Sequence, residues 1–253
     1  MERTLLIAGK ELPDGESFAS GAVASGRKTI ITKKHTDESS SGPNGTTGVE
    51  WNRPSALSAR AVVLKALNEC GHLDECAIIF DESFFIEKYG SMDGTAENVR
   101  VIEELISSYQ YMTMEVINRA LKKNRMDFTV SNETEKSKLR LVFIHKPNPS
   151  LSECVITKST AKPSQPFLST ASQAFKTYAE NIAAAHLEDE DLDIVLVNCD
   201  QTNDLYNNDR GLSTWLFSYI ETLEGLKRPL TAKQRLTWTK AGTKTPGGFG
   251  FFS

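Results

Sequence analysis

Apolar residues fall along this chain in two alternating patterns. Short, almost continuous runs stand at Arg3–Ala8, Lys28–Thr32, Cys76–Phe80 (CAIIF), Leu139–Ile144 (LRLVFI) and Ile194–Asn198 (IVLVN). Between them lie segments in which apolar residues return every three or four positions. The clearest is Pro54–Cys70, where Ala56, Leu57, Ala59, Val62, Val63, Ala66 and Leu67 share one face and Gly71 follows as a C-cap. Ala96–Lys123 reads as a long amphipathic helix. Gln173–His186 reads as an alanine-rich helix, Leu212–Leu223 as another, and Glu16–Ser25 as a short one. Val49–Asn52 and Leu236–Thr239 read as short additional strands. Strands without polar alternation, separated by helices, indicate a parallel sheet covered on both faces. Right-handed crossovers then give a doubly wound α/β domain. No repeat is visible, so residues 1–253 are expected to form one domain.

Composition narrows the class. The chain has 253 residues, 39% of them hydrophobic and 25% charged, with a formal net charge of −4. With a pI near 5.7 and no basic stripe, nucleic acid is not an expected partner. No window reaches the roughly 18 apolar residues of a membrane span, and MERTLLIAGKELPDG has too short an apolar run for a signal peptide. A cytoplasmic protein is expected. Cys70, Cys76, Cys154 and Cys199 form no CxxC pair and have no histidine at metal-ligand spacing. They read as free thiols, and no metal site is expected. His35–Gly48 (HTDESSSGPNGTTG) reads as an exposed polar loop. The apolar stretch PGGFGFF, Pro246–Phe252, should pack on its own domain or on a partner.

Four stretches, in this order, resemble the short-chain dehydrogenase/reductase family. Gly9 and Gly15 follow the first strand, and Gly71-His72-Leu73-Asp74 leads into strand four. The helix at 96–123 occupies the place of the family's interface helix. Ser172-Gln173-Ala174-Phe175-Lys176 precedes Val197-Asn198 at about the interval that separates the family's Tyr-x-x-x-Lys from its Val-Asn. The resemblance implies a Rossmann-like sheet of about seven strands and an NAD(P)-dependent oxidoreductase. It also implies a homodimer or homotetramer formed through residues 96–123 and 173–186, acting on a small-molecule substrate. Cofactor-binding positions carried over from the family are Gly9, Gly15, Lys33, Lys34 and Lys176. The basic pair after strand two favours NADP over NAD, because a 2′-phosphate is matched by cations and a free ribose hydroxyl by an acid.

Departures from the pattern are equally specific. Pro13 replaces the family's middle glycine, and proline has no N–H and a fixed φ. Glu11 and Asp14 bring negative charge to the same loop. Asp81-Glu82-Ser83-Phe84 replaces the small neutral residues after strand four. These carboxylates are expected to be solvated, or to pair with lysines at the sheet edge. At the reaction centre, Ser172 stands at the tyrosine position and Lys176 at the lysine position. The family's serine has two candidate places. His145 and Lys146 follow LRLVFI directly, while Ser159 stands 13 residues before Ser172. The second choice would put strand five at Val155–Thr157. The longer LRLVFI is preferred, which leaves Pro147–Pro166 as an inserted loop or hairpin. His145 then reads as an exposed strand-end histidine. The candidate catalytic set is Lys176, Ser172 and Ser159. Two functions follow from it: an atypical NAD(P)-dependent oxidoreductase, or a catalytically silent relative that binds a ligand or partner.

Overall fold

A computed structural model of the chain describes residues 3–34, 45–89, 101–124, 126, 138–160 and 162–244. The expectations for most of the polar loop at 35–48, for residues 96–100 and for the stretch 246–252 lie outside them.

Seven parallel strands form one sheet in the order β3-β2-β1-β4-β5-β6-β7. They are β1 (Arg3–Leu12), β2 (Arg27–Lys33), β3 (Thr46–Glu50), β4 (Glu75–Asp81), β5 (Leu139–Lys146), β6 (Leu192–Asn198) and β7 (Thr239–Lys240). The seven-strand doubly wound expectation agrees with this sheet. Alternate residues of each strand face opposite layers. Leu6, Ala8 and Ile78 pack under α2 (Ala56–Cys70), α4 (101–124) and α6 (Pro166–Ala185). Leu5, Ile7 and Ile79 pack under α1 (Glu16–Ala24) and α7 (Asp209–Glu224). Burial on both faces is why the strands read as unbroken apolar runs.

Local sequence explains the helix ends. The Ser55 side chain accepts the Ser58 N–H at the start of α2, and Gly71, at φ +82°, closes its end. Pro166 opens α6, seven residues before the alanine-rich core of that helix. Helix α4 contains two π-helical turns, Glu103–Ser107 and Val116–Leu121.

Several expectations need correction. β1 does not stop at Gly9. It bends there at φ +100° and resumes pairing at Leu12, opposite Lys33. The preferred LRLVFI is strand five, and the alternative, Val155–Thr157, is not a strand. That segment lies in a short helix, α5 (Leu151–Thr157), opened by a Ser150/Glu153 capping box, so the inserted segment holds a helix rather than a hairpin. The segment after β4 is not an open loop but helix α3 (Glu82–Tyr89). The last strand is Thr239–Lys240, preceded by the short helix α8 (Ala232–Arg235). All four cysteines are free thiols.

Candidate functional site at the carboxyl edge of the sheet

In a parallel sheet every strand ends on the same edge, and the crevice lies where the chain order reverses. Here the reversal is between β1 and β4. Gly9 brings the two strands together at that point. A Cβ on it would stand 2.1 Å from the Ile79 carbonyl oxygen and 2.9 Å from the Tyr109 ring. The glycine is required for contact within the protein itself. The Tyr109 hydroxyl donates to the Ile79 carbonyl at 3.1 Å.

Past Gly9, two charge groups cross the crevice. Glu11, 2% exposed, receives two bonds from the Arg53 guanidinium, Nε at 2.6 Å and Nη2 at 3.1 Å. Arg53 Nη2 also donates to the Gly9 carbonyl at 2.6 Å. The guanidinium lies 4.8 Å from the Trp51 ring centroid, 4.9 Å from Phe85 and 5.2 Å from Tyr109. Beside it, Lys10 Nζ bonds Asp81 at 2.6 Å and Asp209 at 2.5 Å, while Lys146 Nζ meets the same carboxylates at 2.9 and 2.7 Å. Of the two expectations for Asp81 and Glu82, solvation fails, since both are 1% exposed, while pairing with lysines at the sheet edge is what Asp81 shows. Burial of Asp81 opposes its charge, yet Lys146 and Lys10 prevail and hold the carboxyl below its usual range. Glu82 accepts from the Asn148 N–H at 2.9 Å and from the Ser164 hydroxyl. Burial outweighs those bonds and pushes its carboxyl upward.

The turn into α1 is closed by its own backbone. The Gly15 N–H donates to the Glu11 carbonyl at 3.0 Å and the Glu16 N–H to the Pro13 carbonyl at 2.9 Å. Pro13 has no N–H to offer. Glu16 adds a carboxylate to the first helical turn.

At the ends of β5 and β6 the structure brings Ser172, His145 and Asn198 together. The Ser172 hydroxyl is 2.7 Å from His145 Nε2, and His145 Nδ1 is 3.3 Å from Asn198 Oδ1. Asn198 turns its amide nitrogen toward Asp200 at 3.4 Å, so its oxygen faces the ring. That arrangement assigns the proton to Nδ1 and lets Nε2 accept from Ser172. His145 is not the exposed strand-end residue expected. It is 5% exposed and stacks on Phe175, with Phe80 and Trp238 alongside. Burial, with a smaller push from the Lys176 charge, lowers its pKa to about 4 against the Asn198 bond. Lys176 lies one turn from Ser172 on α6 and is half-buried. Ser159 is exposed beyond the end of α5, and its N–H bonds the Cys154 carbonyl at 3.1 Å. Lys33 ends β2, and Lys34 stands 5.5 Å from the Phe84 ring centroid.

Sequence reasoning missed Arg53, Asn148, Asp209 and Tyr206, whose ring centroid is 5.1 Å from Lys146 Nζ. Arg53 carried a usable signal, a cation directly after a strand end. The other three lie in loops or at a helix start with no periodic pattern to mark them. A cleft of about 590 Å3 opens on this edge, lined by members of both charge groups, Lys10, Glu11, Arg53 and Asp81, together with Trp51 and Phe84. That volume is within the range of small-molecule sites. Among the described residues there is no cluster of three or more metal-ligating side chains, and no helix is long and apolar enough to cross a membrane.

No family model and no curated protein matches the sequence. Solved structures do match in shape. A 3-ketoacyl-(acyl-carrier-protein) reductase from Brucella melitensis, complexed with NADH, superposes with a TM-score of 0.58 at 12% identity, over 94% of this chain and 95% of that one. A short chain dehydrogenase/reductase family oxidoreductase from Aeromonas hydrophila gives 0.59 at 12% identity, over 86% and 90%. ElxO with NADP bound gives 0.52 at 14% identity, over 79% and 73%. The chain thus has the fold of the short-chain dehydrogenase/reductases.

Proposed function

We propose that this chain is a divergent short-chain dehydrogenase-like protein that has lost the family's hydride-transfer centre and serves as a ligand- or partner-binding relative. The observation that carries this reading is the commitment of Ser172, at the tyrosine position, to His145 at 2.7 Å. A phenol with a pKa near 10 can exchange a proton beside a lysine, whereas an aliphatic hydroxyl is a much weaker acid. His145 cannot substitute as the donor. With a pKa of about 4 it carries no spare proton at neutral pH. The groups at the β1–β4 crevice do not fit a pyrophosphate either. The Gly15 and Glu16 N–H groups are bonded within the turn, and Glu11 and Asp81 bring carboxylates to the lining of the cleft.

The cleft of about 590 Å3 at this edge, lined by those same charged groups, is where a small-molecule ligand would bind. Self-association through residues 101–124 and Pro166–Ala185 belongs to the same proposal. The face there presents Gln110, Gln173, Thr177 and Asn181, a polar surface suited to a modest interface.

An oxidoreductase reading is favoured by two features, Lys176 one turn from Ser172 and the basic pair Lys33 and Lys34 at the end of β2. Heat unfolding with and without millimolar NADPH separates the two. The silent-relative reading expects no stabilisation and no NADPH oxidation with carbonyl substrates. Stabilisation that disappears in Lys176→Ala, accompanied by turnover, would establish the oxidoreductase.

A further inference from the structure

The sheet ends unevenly at β7. Strand β6 runs for seven residues, Leu192–Asn198, but β7 pairs only with Val197 and Asn198. Among the described residues no strand lies beside Leu192–Leu196 on that side. Alternate residues of a parallel strand turn their backbone groups to opposite neighbours. The Cys199 N–H donates to the His145 carbonyl of β5 at 2.9 Å, while the Asn198 carbonyl accepts from the Ala241 N–H at 2.9 Å, next to β7. By that alternation Ile194 and Leu192 direct their N–H and C=O groups away from β5, toward the edge. The stretch reads Leu-Asp-Ile-Val-Leu, without the proline or lysine that commonly guards an edge strand. Its one charge, Asp193, is bonded to Arg140 at 2.9 Å. A groove of about 760 Å3 lies here, lined by Leu192–Leu196, by Tyr219 and Leu223 of α7, and by Leu230 and Thr237. It shares no lining residue with the cleft at the carboxyl edge.

We propose that this groove docks an extended peptide of another protein, which adds to β6 as a strand and carries lysine or arginine beside an alternating apolar stretch. Backbone groups along the β6 edge recur at about 6.6 Å, the two-residue repeat of a strand, so what they match is another main chain. Tyr219, Leu223 and Leu230 supply apolar wall for alternate side chains of the incoming strand. Charge sets the partner's sign. The lining carries five carboxylates and three cations. Arg140 is held by Asp193 and Glu224 at 2.9 and 2.7 Å, and Arg235 donates to the Leu187 carbonyl at 2.5 Å. Glu188 and Glu190 are exposed. The surplus of carboxylates favours a cationic segment and opposes an acidic one. Strand addition also covers an apolar edge that would otherwise invite non-specific pairing. The inference goes beyond the proposed function and does not depend on whether hydride transfer has been lost.

Fluorescence anisotropy of the whole chain with a labelled peptide, Lys-Val-Thr-Val-Thr-Val-Lys, tests this. Binding should saturate in the micromolar range, and hydrogen exchange at the Ile194 amide should slow at least about tenfold in the complex. A twin peptide with proline for its central valine lacks the pairing N–H, and a second twin has glutamate for both lysines. Each should bind at least about tenfold more weakly. Glu188→Lys/Glu190→Lys alters only exposed side chains and should weaken the lysine peptide while strengthening the glutamate one. Thr237→Trp, at an exposed position on the groove, fills it and should abolish binding while circular dichroism shows a folded chain. Binding that survives Thr237→Trp, or that leaves Ile194 exchange unchanged, overturns the proposal, as does the absence of saturable binding at millimolar peptide. Size-exclusion chromatography of the free chain tests a second copy as occupant. A dimer that Thr237→Trp dissociates would overturn the foreign-peptide assignment. None of these readouts uses NADPH, so this inference and the proposed function fail separately.

Discussion

His145 Nε2 lies 2.7 Å from the Ser172 hydroxyl, in a pocket of aromatic rings where both residues are nearly sealed from water. Ser172 is thus a core residue with a hydrogen-bond duty. In Ser172→Tyr a phenol must enter a site that is 4% exposed and already packed. Ser172→Tyr should lose roughly 2–3 kcal/mol through overpacking. Ser172→Ala should lose about 1–2 kcal/mol because it orphans the imidazole nitrogen. Urea unfolding of the two variants checks both values, and a neutral Ser172→Tyr would contradict the burial argument.

The same histidine sets a pH dependence. Its folded pKa of about 4 is below the ordinary 6.5, so between those values the unfolded chain binds a proton that the folded chain does not. Stability is therefore fully present above pH 6.5 and falls as the pH drops toward 4, by at most about 3 kcal/mol from this group. Denaturant midpoints measured from pH 7 to pH 4 should show the fall. In His145→Gln the slope over that window should be shallower, whereas an unchanged slope would assign the acid sensitivity to other groups.

Asp81, Asp209, Lys10 and Lys146 form a neutral quartet at the ends of β1, β4 and β5 and the start of α7. Asp81→Asn leaves two buried ammonium groups facing one carboxylate and should cost about 3–5 kcal/mol. Adding Lys146→Met removes the surplus charge and should recover part of the loss, giving a coupling energy of at least about 1 kcal/mol in a double-mutant cycle. Simple additivity of the two changes would mean that the four charges do not act as a unit.

Gly9 carries a structural demand that no other residue type meets. Gly9→Ala places a methyl 2.1 Å from a backbone oxygen, at φ +100°, and should cost about 3 kcal/mol or more. The thermal midpoint should fall by several degrees. A folded Gly9→Ala with an unchanged midpoint would show that β1 and β4 can separate at the switch point.

The chain's own pattern determined the layers. Continuous apolar runs become parallel strands because both faces of the sheet are covered, and that is legible from residue type alone. It also placed Ser172 and Lys176 one turn apart, and Gly9 and Gly15 around the first turn. Tertiary structure decided what those residues touch. Pairing of Asp81 with sheet-edge lysines was among the sequence's readings, but Asp81, Glu82 and His145 also read as solvent groups because each follows an apolar run, and only the assembled fold buries them. Arg53 and Glu11 are separated by more than forty positions, and only the β3–β1 placement in the sheet joins them. Spacing along a helix or strand is a local property that sequence carries. The partner of a charge is set by which strand ends meet at one edge, and only the assembled sheet determines that.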